Sequence, residues 1–302
     1  MNEYLVGLAN HIAEAVAAVR KEGSQRIVDG HSPGGDAQFD IDHVAENAVQ
    51  EYLHRAGMPV AVYSEGTGLV HFGRGAEWLL VIDPVDGTRP AAAGLGTATI
   101  SIAAARLTAD PRISDVDHAL LQEIDTGARL YWDASMDAVQ ADGYRQPTPA
   151  PSRTVSLDRM FWSIEFNGHP SPLMISTYGH LIDASANTGG LFVFNSASYS
   201  ISRIITGQLD AYVDIGNRLL RDRPELEPEF RRVGNGHILH LFPYDIAAAV
   251  TLAQRAGIVV TDGYGEPLGE TRLLDVGPAN QQSCIAASNP TLHQRLLAAM
   301  RW

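Results

Sequence analysis

Two carboxylates stand three positions apart, directly after an unbroken apolar run. The run, residues 78–82, contains β-branched side chains and is typical of a short strand buried on both faces. Asp83 and Asp86 follow at once, in a turn that contains a proline and a glycine. Buried anions are costly unless something compensates them, and a hard divalent cation such as Mg²⁺ does so simply. For this stretch alone, an Asx-type turn whose carboxylates only cap backbone groups is the alternative.

Three further acidic residues stand where predicted helices or strands begin or end. Asp42 lies at the start of a predicted helix, Glu65 directly follows a short strand predicted over 59–63, and Asp245 begins a helix predicted over 245–256. Taken singly, Asp42 and Asp245 could be helix N-caps, and Glu65 could be a solvated loop charge. Their joint chemistry depends on whether the fold brings them to the carboxylates that follow the apolar run.

The order and spelling of these acidic positions resemble the inositol monophosphatase family. This is the Mg²⁺-dependent, lithium-sensitive phosphatase superfamily, which also holds fructose-1,6-bisphosphatases and 3′-phosphoadenosine phosphatases. The early block over 35–46 is most similar to the dual fructose-bisphosphatase and inositol-phosphatase branch. The motifs that carry the resemblance cover nearly the whole chain: Asp42-x-x-x-Glu46, Ser64-Glu65, Asp83-Pro-Val-Asp86-Gly-Thr88, Asp245-Ile-Ala-Ala-Ala and residues 285–290.

The resemblance implies a layered α/β/α/β/α sandwich that binds two or three Mg²⁺ ions and is inhibited by Li⁺. Glu65, Asp83 and the Val85 carbonyl would bind the first ion. Asp83 would bridge to a second ion, which Asp86 and Asp245 would also bind. A third, weaker ion would rest on Glu65 and water. Carboxylate and carbonyl oxygens are the ligands that Mg²⁺ prefers, whereas the eleven histidines are scattered along the chain and do not indicate zinc.

The resemblance also implies how water and phosphate would be handled. Thr88 and Asp42 would orient and deprotonate the attacking water, and Glu65 joins this catalytic set through the water of the third ion. The backbone amides of Gly87 and Thr88 would hold the phosphate at a helix N-terminus, where N–H groups are free. Cations close to the phosphoryl group neutralise its oxygens, lower the pKa of the attacking water and stabilise the leaving alkoxide.

The residues expected to bind the rest of the substrate are less well defined by the family pattern. Ser196, Ala197 and Asp214 align with positions that contact substrate hydroxyls, although Asp214 could merely end a strand. Arg89 and its neighbour Pro90 stand where the family usually has a Thr/Tyr-Asn pair. The arginine could bind a second phosphate or a substrate carboxylate, or it could be a surface arginine paired with a nearby acid.

Three other departures bear on the substrate. Residues 217–240 form an insertion between Asp214 and Asp245 that could be a lid, a dimer contact or a specificity element. The family's early-loop lysine is absent, with His31 or Ser32 near that place. The second glutamate that usually follows the first is Gly66 here.

Elsewhere, patterning predicts two halves of different architecture. Residues 1–147 are expected to form an α+β half that binds metal and phosphate, and residues 152–302 an α/β half that completes the site, with a proline-rich boundary between them. The first helix, whose apolar residues recur at helical spacing, is expected to end at Gly23.

Composition excludes several classes of partner. The formal net charge of −13 argues against nucleic acid and anionic membrane surfaces, which require basic patches. No apolar run approaches the ~20 residues of a membrane span, and the N-terminus does not have the pattern of a signal peptide. Cys284 is the only cysteine, so a reducing cytoplasm is expected. The family resemblance implies a homodimer.

The sequence therefore predicts an enzyme, a Mg²⁺-dependent phosphomonoesterase whose substrate is a small inositol or sugar phosphate such as fructose 1,6-bisphosphate. A nucleotide phosphatase, acting on a substrate like 3′-phosphoadenosine phosphate or AMP, is the alternative within this class. A non-catalytic descendant that binds a ligand or a protein is the alternative of another class. The intact set of metal-binding and water-activating residues argues against it.

Overall fold

The computed structural model describes residues 1–20 and 26–302, so Gly23 lies outside the described residues. Two long helices, α1 (Asn2–Arg20) and α2 (Asp40–Ala56), begin the fold. Each buries one apolar stripe, as the helical spacing of its leucine, isoleucine and valine residues predicts. Between them lies a small antiparallel hairpin of β1 (Val28–His31) and β2 (Ala37–Phe39).

The first half of the chain forms a seven-stranded sheet with strand order β4-β3-β5-β6-β7-β8-β9. Strands β3 and β5 are parallel, and every other neighbouring pair is antiparallel. Strand β5 is the longest strand of this sheet, and eight of its nine residues are buried. The strands are β3 (Val60–Ser64), β4 (Gly68–Phe72), β5 (Trp78–Asp86), β6 (Thr99–Arg106), β7 (Val116–Glu123), β8 (Arg129–Asp133) and β9 (Gln140–Asp142).

The second half forms a five-stranded sheet with strand order β11-β10-β12-β14-β13. The first three strands are parallel, whereas β14 runs antiparallel to both of its neighbours. The sheet is therefore mixed, and it belongs to the half that was expected to be α/β. The strands are β10 (Phe161–Ile164), β11 (Gly190–Phe192), β12 (Ala211–Asp214), β13 (Val259–Thr261) and β14 (Cys284–Ala287).

Seven more α-helices complete the described part of the chain. They are α3 (Thr88–Ala92), α4 (Ser171–Ser185), α5 (Ala197–Ile205), α6 (Gly216–Asp222), α7 (Glu227–Val233), α8 (Pro243–Arg255) and α9 (Pro290–Ala299). Short 3₁₀ helices lie at Ile113–Asp115, Pro224–Leu226 and Leu268–Glu270. The inserted segment 217–240 is largely helical, because it contains most of α6 and all of α7.

Three apolar cores alternate with the two sheets. The first core packs α1 and α2 on one face of the seven-stranded sheet. The second lies between the two sheets and includes α5 and α8. The third packs α4, α7 and α9 on the outer face of the five-stranded sheet. The order of layers is helix, sheet, helix, sheet, helix, which confirms the layered α/β/α/β/α prediction.

The middle core joins residues from both halves of the chain. Leu79 and Trp132 of the first sheet belong to the same buried cluster as Ile201 of α5 and Ile246 of α8. The division into residues 1–147 and 152–302 stays a prediction. Within the described residues, no helix combines the length and apolar character that crossing a bilayer requires.

Candidate active site

One open cavity collects most of the residues singled out from the sequence. Asp42 does not line the cavity but hydrogen bonds to a residue that does. The expected site residues that line it are Glu65, Asp83, Val85, Asp86, Gly87, Thr88, Arg89, Ser196, Ala197, Asp214 and Asp245.

An irregularity in β5 allows both of its carboxylates to line this cavity. Residues three apart on a regular strand point to opposite faces of a sheet. Asp83 is paired with Ser101 and Asp86 with Thr99, so three steps on β5 match two on β6. The extra residue shifts the register as a β-bulge does and turns Asp86 towards the side of Asp83. The Asp83 Oδ1 atom accepts a hydrogen bond from the Val85 N–H at 3.0 Å.

Asp86 is held by the beginning of α5, which comes from the second half of the chain. Its Oδ2 atom accepts hydrogen bonds from Ser196 Oγ at 2.9 Å, from the Ser198 N–H at 2.6 Å and from Ser198 Oγ. Gly87 permits this close approach, since a Cβ atom there would lie 3.0 Å from Ser196 Cβ, and its φ of +95° also favours glycine.

Asp42 and Asp245 use one local device on two different helices. Each is the third residue of its helix, and its Oδ2 atom accepts a hydrogen bond from the backbone N–H of the preceding cap residue. The partners are Phe39 at 2.8 Å and Phe242 at 2.6 Å. Neither acid is therefore the N-cap residue itself, which lies three positions earlier in each helix. Both acids do accept a hydrogen bond from a free backbone N–H at a helix N-terminus.

Burial and mutual repulsion raise the pKa values of the carboxylates at this end of the cavity. The pKa values of Glu65, Asp83 and Asp245 lie well above the usual range, first because the groups are buried and then because carboxylates face one another. Burial also raises the pKa of Asp86, against the effect of its hydrogen bonds to Ser198 and Ser196. The cluster therefore favours cations or protons.

Every carboxylate in this group keeps an oxygen for a ligand. The described hydrogen bonds of Asp83 and Asp245 each occupy one oxygen, leaving Asp83 Oδ2 and Asp245 Oδ1. Within residues 1–20 and 26–302, no three His, Cys, Asp or Glu side chains are already arranged as ligands of one ion.

Thr88 and Asp42 form a pair at the edge of the cavity. Thr88 Oγ1 donates to Asp42 Oδ1 at 2.8 Å and lies 3.1 Å from the Val85 carbonyl oxygen. Burial raises the pKa of Asp42 to about 6, against the effect of its hydrogen bonds. A carboxylate with such a pKa is ionised at neutral pH yet basic enough to accept a proton.

Arg89 lines the cavity and is also paired with an acid. Its Nη2 and Nη1 atoms lie 2.8 and 3.3 Å from the two carboxylate oxygens of Asp36, and Asn167 Nδ2 donates to Asp36 Oδ2 at 3.0 Å. The sequence offered a substrate contact and an ion pair as alternatives. The ion pair is present, and it places the guanidinium beside the cavity.

Glu165 is a buried cavity residue that the sequence reasoning missed. It directly follows β10 and lies beside Asp214, which ends β12. The apolar pattern predicts a strand over 161–166, which includes Glu165, so the residue does not stand out from the sequence as an acid at a strand end. Asn195, which adjoins Ser196 in the sequence and was expected with it, also lines the cavity. The other lining residues missed were Asp36, Asn167, His169, Leu239, His240, Leu241, Phe242 and Tyr244.

The glycine that replaces the family's second glutamate has a structural reason. A Cβ atom at Gly66 would lie 2.8 Å from Glu46 Cγ. Glu46 occupies this space because its carboxylate accepts hydrogen bonds from the Gly66 N–H at 2.7 Å and from Ser64 Oγ at 2.9 Å. Glu46 thereby fixes the loop that contains Glu65.

The chain is similar to known proteins over its whole length. The family model for the inositol monophosphatase family matches residues 1–302. A fructose-1,6-bisphosphatase/inositol-1-monophosphatase from Methanothermobacter thermautotrophicus is 25% identical over 98% of this chain and 94% of its own. A protein of the same description from Archaeoglobus fulgidus is 24% identical over 97% and 95%. The solved structure of a Thermotoga maritima IMPase has a TM-score of 0.67 at 18% identity, covering 99% of this chain and 96% of that one.

The class that the fold and the carboxylate-lined cavity define is a phosphatase of the layered-sandwich type. The chain belongs to the inositol monophosphatase family, because the family model covers its whole length.

Proposed function

We propose that this protein hydrolyses the phosphate monoester of an inositol or a small sugar, using a metal-activated water. The observation that supports this best is the convergence of Glu65, Asp83, Asp86 and Asp245 on one cavity, where burial raises all four pKa values. The relatives described as fructose-1,6-bisphosphatase/inositol-1-monophosphatase favour inositol and sugar phosphates over nucleotides.

The donor set fits Mg²⁺. Glu65, Asp83 and the Val85 carbonyl would hold one ion, and Asp83, Asp86 and Asp245 a second, since hard oxygen donors suit this cation. Bound Mg²⁺ supplies positive charge for the phosphoryl oxygens and lowers the pKa of water. A third, weaker ion on Glu65 and inhibition by Li⁺ complete the proposal.

The remaining residues would bind, orient and accept a proton. Asp42 would accept the proton of the attacking water, which Thr88 Oγ1 orients. The backbone amides of Gly87 and Thr88 would hold the phosphate. Ser196 and Ala197 would contact the leaving alcohol.

Arg89 would bind a second anionic group on the substrate. Because its guanidinium is paired with Asp36, such a substrate must compete with that carboxylate. We therefore expect Arg89 to matter for bisphosphates and to contribute little for monophosphates.

A substrate panel tests this function. Inositol 1-phosphate, fructose 1,6-bisphosphate, 3′-phosphoadenosine 5′-phosphate and AMP are assayed for phosphate release with and without Mg²⁺. We expect release from the first two that depends on Mg²⁺ and falls with Li⁺. Preferred hydrolysis of the two nucleotides would replace the substrate class, and no release from any would refute the enzyme.

We also propose that the protein is a cytoplasmic homodimer. Strand β11 is an edge of its sheet, and a group of apolar side chains is exposed there: Phe161, Phe192 and Val193 are 44, 37 and 45% exposed. An exposed apolar edge of this kind is typical of an interface. Sedimentation of the wild type as a dimer and of Val193→Asp as a monomer would support it, whereas a monomeric wild type would refute it.

A further inference from the structure

Two buried carboxylates that are not among the residues proposed to bind metal lie side by side in the cavity. Glu165 and Asp214 directly follow the register pair Ile164–Val213 of the parallel strands β10 and β12, and the Glu165 N–H donates to the Val213 carbonyl at 3.2 Å. Neighbouring strands lie about 4.8 Å apart, and residues in register share one face of a sheet. The two side chains therefore leave the sheet together.

The described hydrogen bonds fix one oxygen of each carboxylate. Glu165 Oε1 accepts from the N–H groups of Phe166 at 2.8 Å and Asn167 at 2.9 Å, and from Asn195 Nδ2 at 3.3 Å. Asp214 Oδ1 accepts from the Gly216 N–H at 3.2 Å. Glu165 Oε2 and Asp214 Oδ2 have no such partner within the described part of the chain, and both residues line the cavity. Two acceptors thus stand pre-oriented for a ligand.

Within the described residues, the basic group nearest to Asp214 is a histidine. His169 Nε2 lies 3.8 Å from Asp214 Oδ1 and 3.1 Å from the Leu239 carbonyl oxygen. Burial raises the pKa of Asp214, and His169 acts against this rise. Arg89, the arginine that lines the cavity, is bound to Asp36. Glu165 and Asp214 are only 8 and 2% exposed, so a bound group that donates hydrogen bonds would replace the water that their free oxygens lose.

We propose that Glu165 and Asp214 together bind two neighbouring hydroxyl groups of the leaving alcohol and so select a polyol phosphate. Glu165 is the new element, and its role rests on the phosphatase function proposed above. Two hydroxyls on adjacent carbons present two O–H donors, one for each free carboxylate oxygen.

Hydroxyls suit the pair better than an ammonium group does. The pKa of Glu165 is raised to about 7, chiefly by burial and in part by the neighbouring Asp214. Near neutral pH the pair therefore carries less than two full charges, which weakens its attraction for a cation. A partly protonated Glu165 can also donate a hydrogen bond to a hydroxyl oxygen, which an ammonium group cannot accept.

Three synthetic esters on one ring test the proposal. Cyclohexyl phosphate lacks hydroxyls, 2,3-dihydroxycyclohexyl phosphate supplies the diol, and 2-aminocyclohexyl phosphate supplies an ammonium group. We expect the wild type to prefer the diol ester over cyclohexyl phosphate by at least about tenfold in kcat/KM, since hydrogen bonds to charged groups are the stronger kind.

The Glu165→Gln variant separates recognition from architecture. Glutamine keeps an oxygen for the N–H groups of Phe166 and Asn167 but replaces the free acceptor with a donor. We expect the diol preference to fall about tenfold, mainly through KM, with a smaller effect on cyclohexyl phosphate. Glu14→Gln, a matched change at an exposed position of α1, should leave the preference unchanged.

Each outcome decides between the proposals. Equal use of the diol and cyclohexyl esters by the wild type, or an unchanged preference in Glu165→Gln, would overturn the inference while leaving the phosphatase intact. Preference for the amino ester that disappears in Glu165→Gln would assign an ammonium group instead. Hydrolysis of none of the three by an enzyme that releases phosphate from inositol 1-phosphate would overturn the inference alone, whereas no release from inositol 1-phosphate or fructose 1,6-bisphosphate either, with or without Mg²⁺, would refute the proposed function as well.

Discussion

Two groups of carboxylates share one cavity and differ in how their charge can be balanced. The first group, Glu65, Asp83, Asp86 and Asp245, comes from separate parts of the fold and converges around the end of β5. The second group, Glu165 and Asp214, comes from two neighbouring parallel strands. Four facing carboxylates favour multivalent cations, whereas an adjacent pair can be satisfied by hydrogen-bond donors. Both groups include acids at the end of a strand. The number and the arrangement of the carboxylates therefore decide which kind of ligand suits each group.

Neutralising Asp83 of the first group should cause the largest loss of activity among the changes considered. Asp83→Asn should lower Mg²⁺-dependent kcat/KM by at least about thousandfold, because metal-ion catalysis supplies several kcal/mol. The pKa of Asp83 is raised in the folded state, so its charge destabilises the metal-free protein as pH rises. We expect the metal-free variant to melt at least about 2 °C higher at neutral pH.

The control for this variant is Asp137→Asn, at an exposed position, which should change neither quantity. Mg²⁺ should raise the melting temperature of the wild type and hardly that of Asp83→Asn. Retained Mg²⁺-dependent activity in Asp83→Asn would contradict the metal assignment.

A smaller loss is expected at Asp42, which belongs to neither group. Its pKa of about 6 predicts that kcat/KM rises with pH through that value, since only the ionised carboxylate accepts a proton. Asp42→Asn should lose about a hundredfold in kcat and abolish this limb of the pH profile. Asp40→Asn changes a charge two residues away and should keep both. An unchanged profile in Asp42→Asn would exclude it as the base.

A variant of Ser198 tests whether the hydrogen bonds that hold the first group are independent of the second group. The hydroxyl and N–H of this serine both donate to Asp86 Oδ2. Ser198→Ala should raise the Mg²⁺ concentration for half-maximal activity by about tenfold or more, as removal of groups that orient ligands does. The preference for a diol ester should not change. A shift in that preference would show that the two groups are coupled.

Arg89 should have the smallest effect. Arg89→Ala should lower kcat/KM by about tenfold on fructose 1,6-bisphosphate and by less than about threefold on inositol 1-phosphate. Asp36→Asn weakens the competing ion pair and should change the bisphosphate rate in the opposite direction. An equal fold loss of kcat/KM on both substrates in Arg89→Ala, relative to the wild type, would exclude a role in binding a second phosphate.

The first group was predictable from the sequence, whereas the second was only partly so. Asp83 and Asp86 follow a buried strand in a distinctive turn, and their partners carry family motifs. Glu165 lacked such a motif, and its role depends on β10 lying beside β12, although two helices and another strand separate these strands along the chain. The ion pair of Arg89 with Asp36 likewise joins residues 53 positions apart. Such pairings arise only from tertiary packing.

The layered order was similarly accessible, but details of its elements were not. Apolar spacing placed the long helices and most strands, because burial of one face fixes the period, whereas the short helices α3, α6 and α7 carry no such pattern. The antiparallel course of β14 depends on its chain direction after a long connection, which no local pattern records. The first residue of α8 is Pro243 rather than Asp245, because the aspartate binds the helix terminus from its third position.

The core between the two sheets is built by residues from both halves of the chain. Leu79 and Trp132 on one side meet Ile201 and Ile246 on the other. A fragment ending before the proline-rich connection would leave an apolar face of the first sheet uncovered. The complementary fragment would lack the sheet against which α5 and α8 pack. Produced together as separate polypeptides, the fragments should bind each other to bury these surfaces. Catalysis in this chain would then report the association of two pieces, as in a split-enzyme reporter.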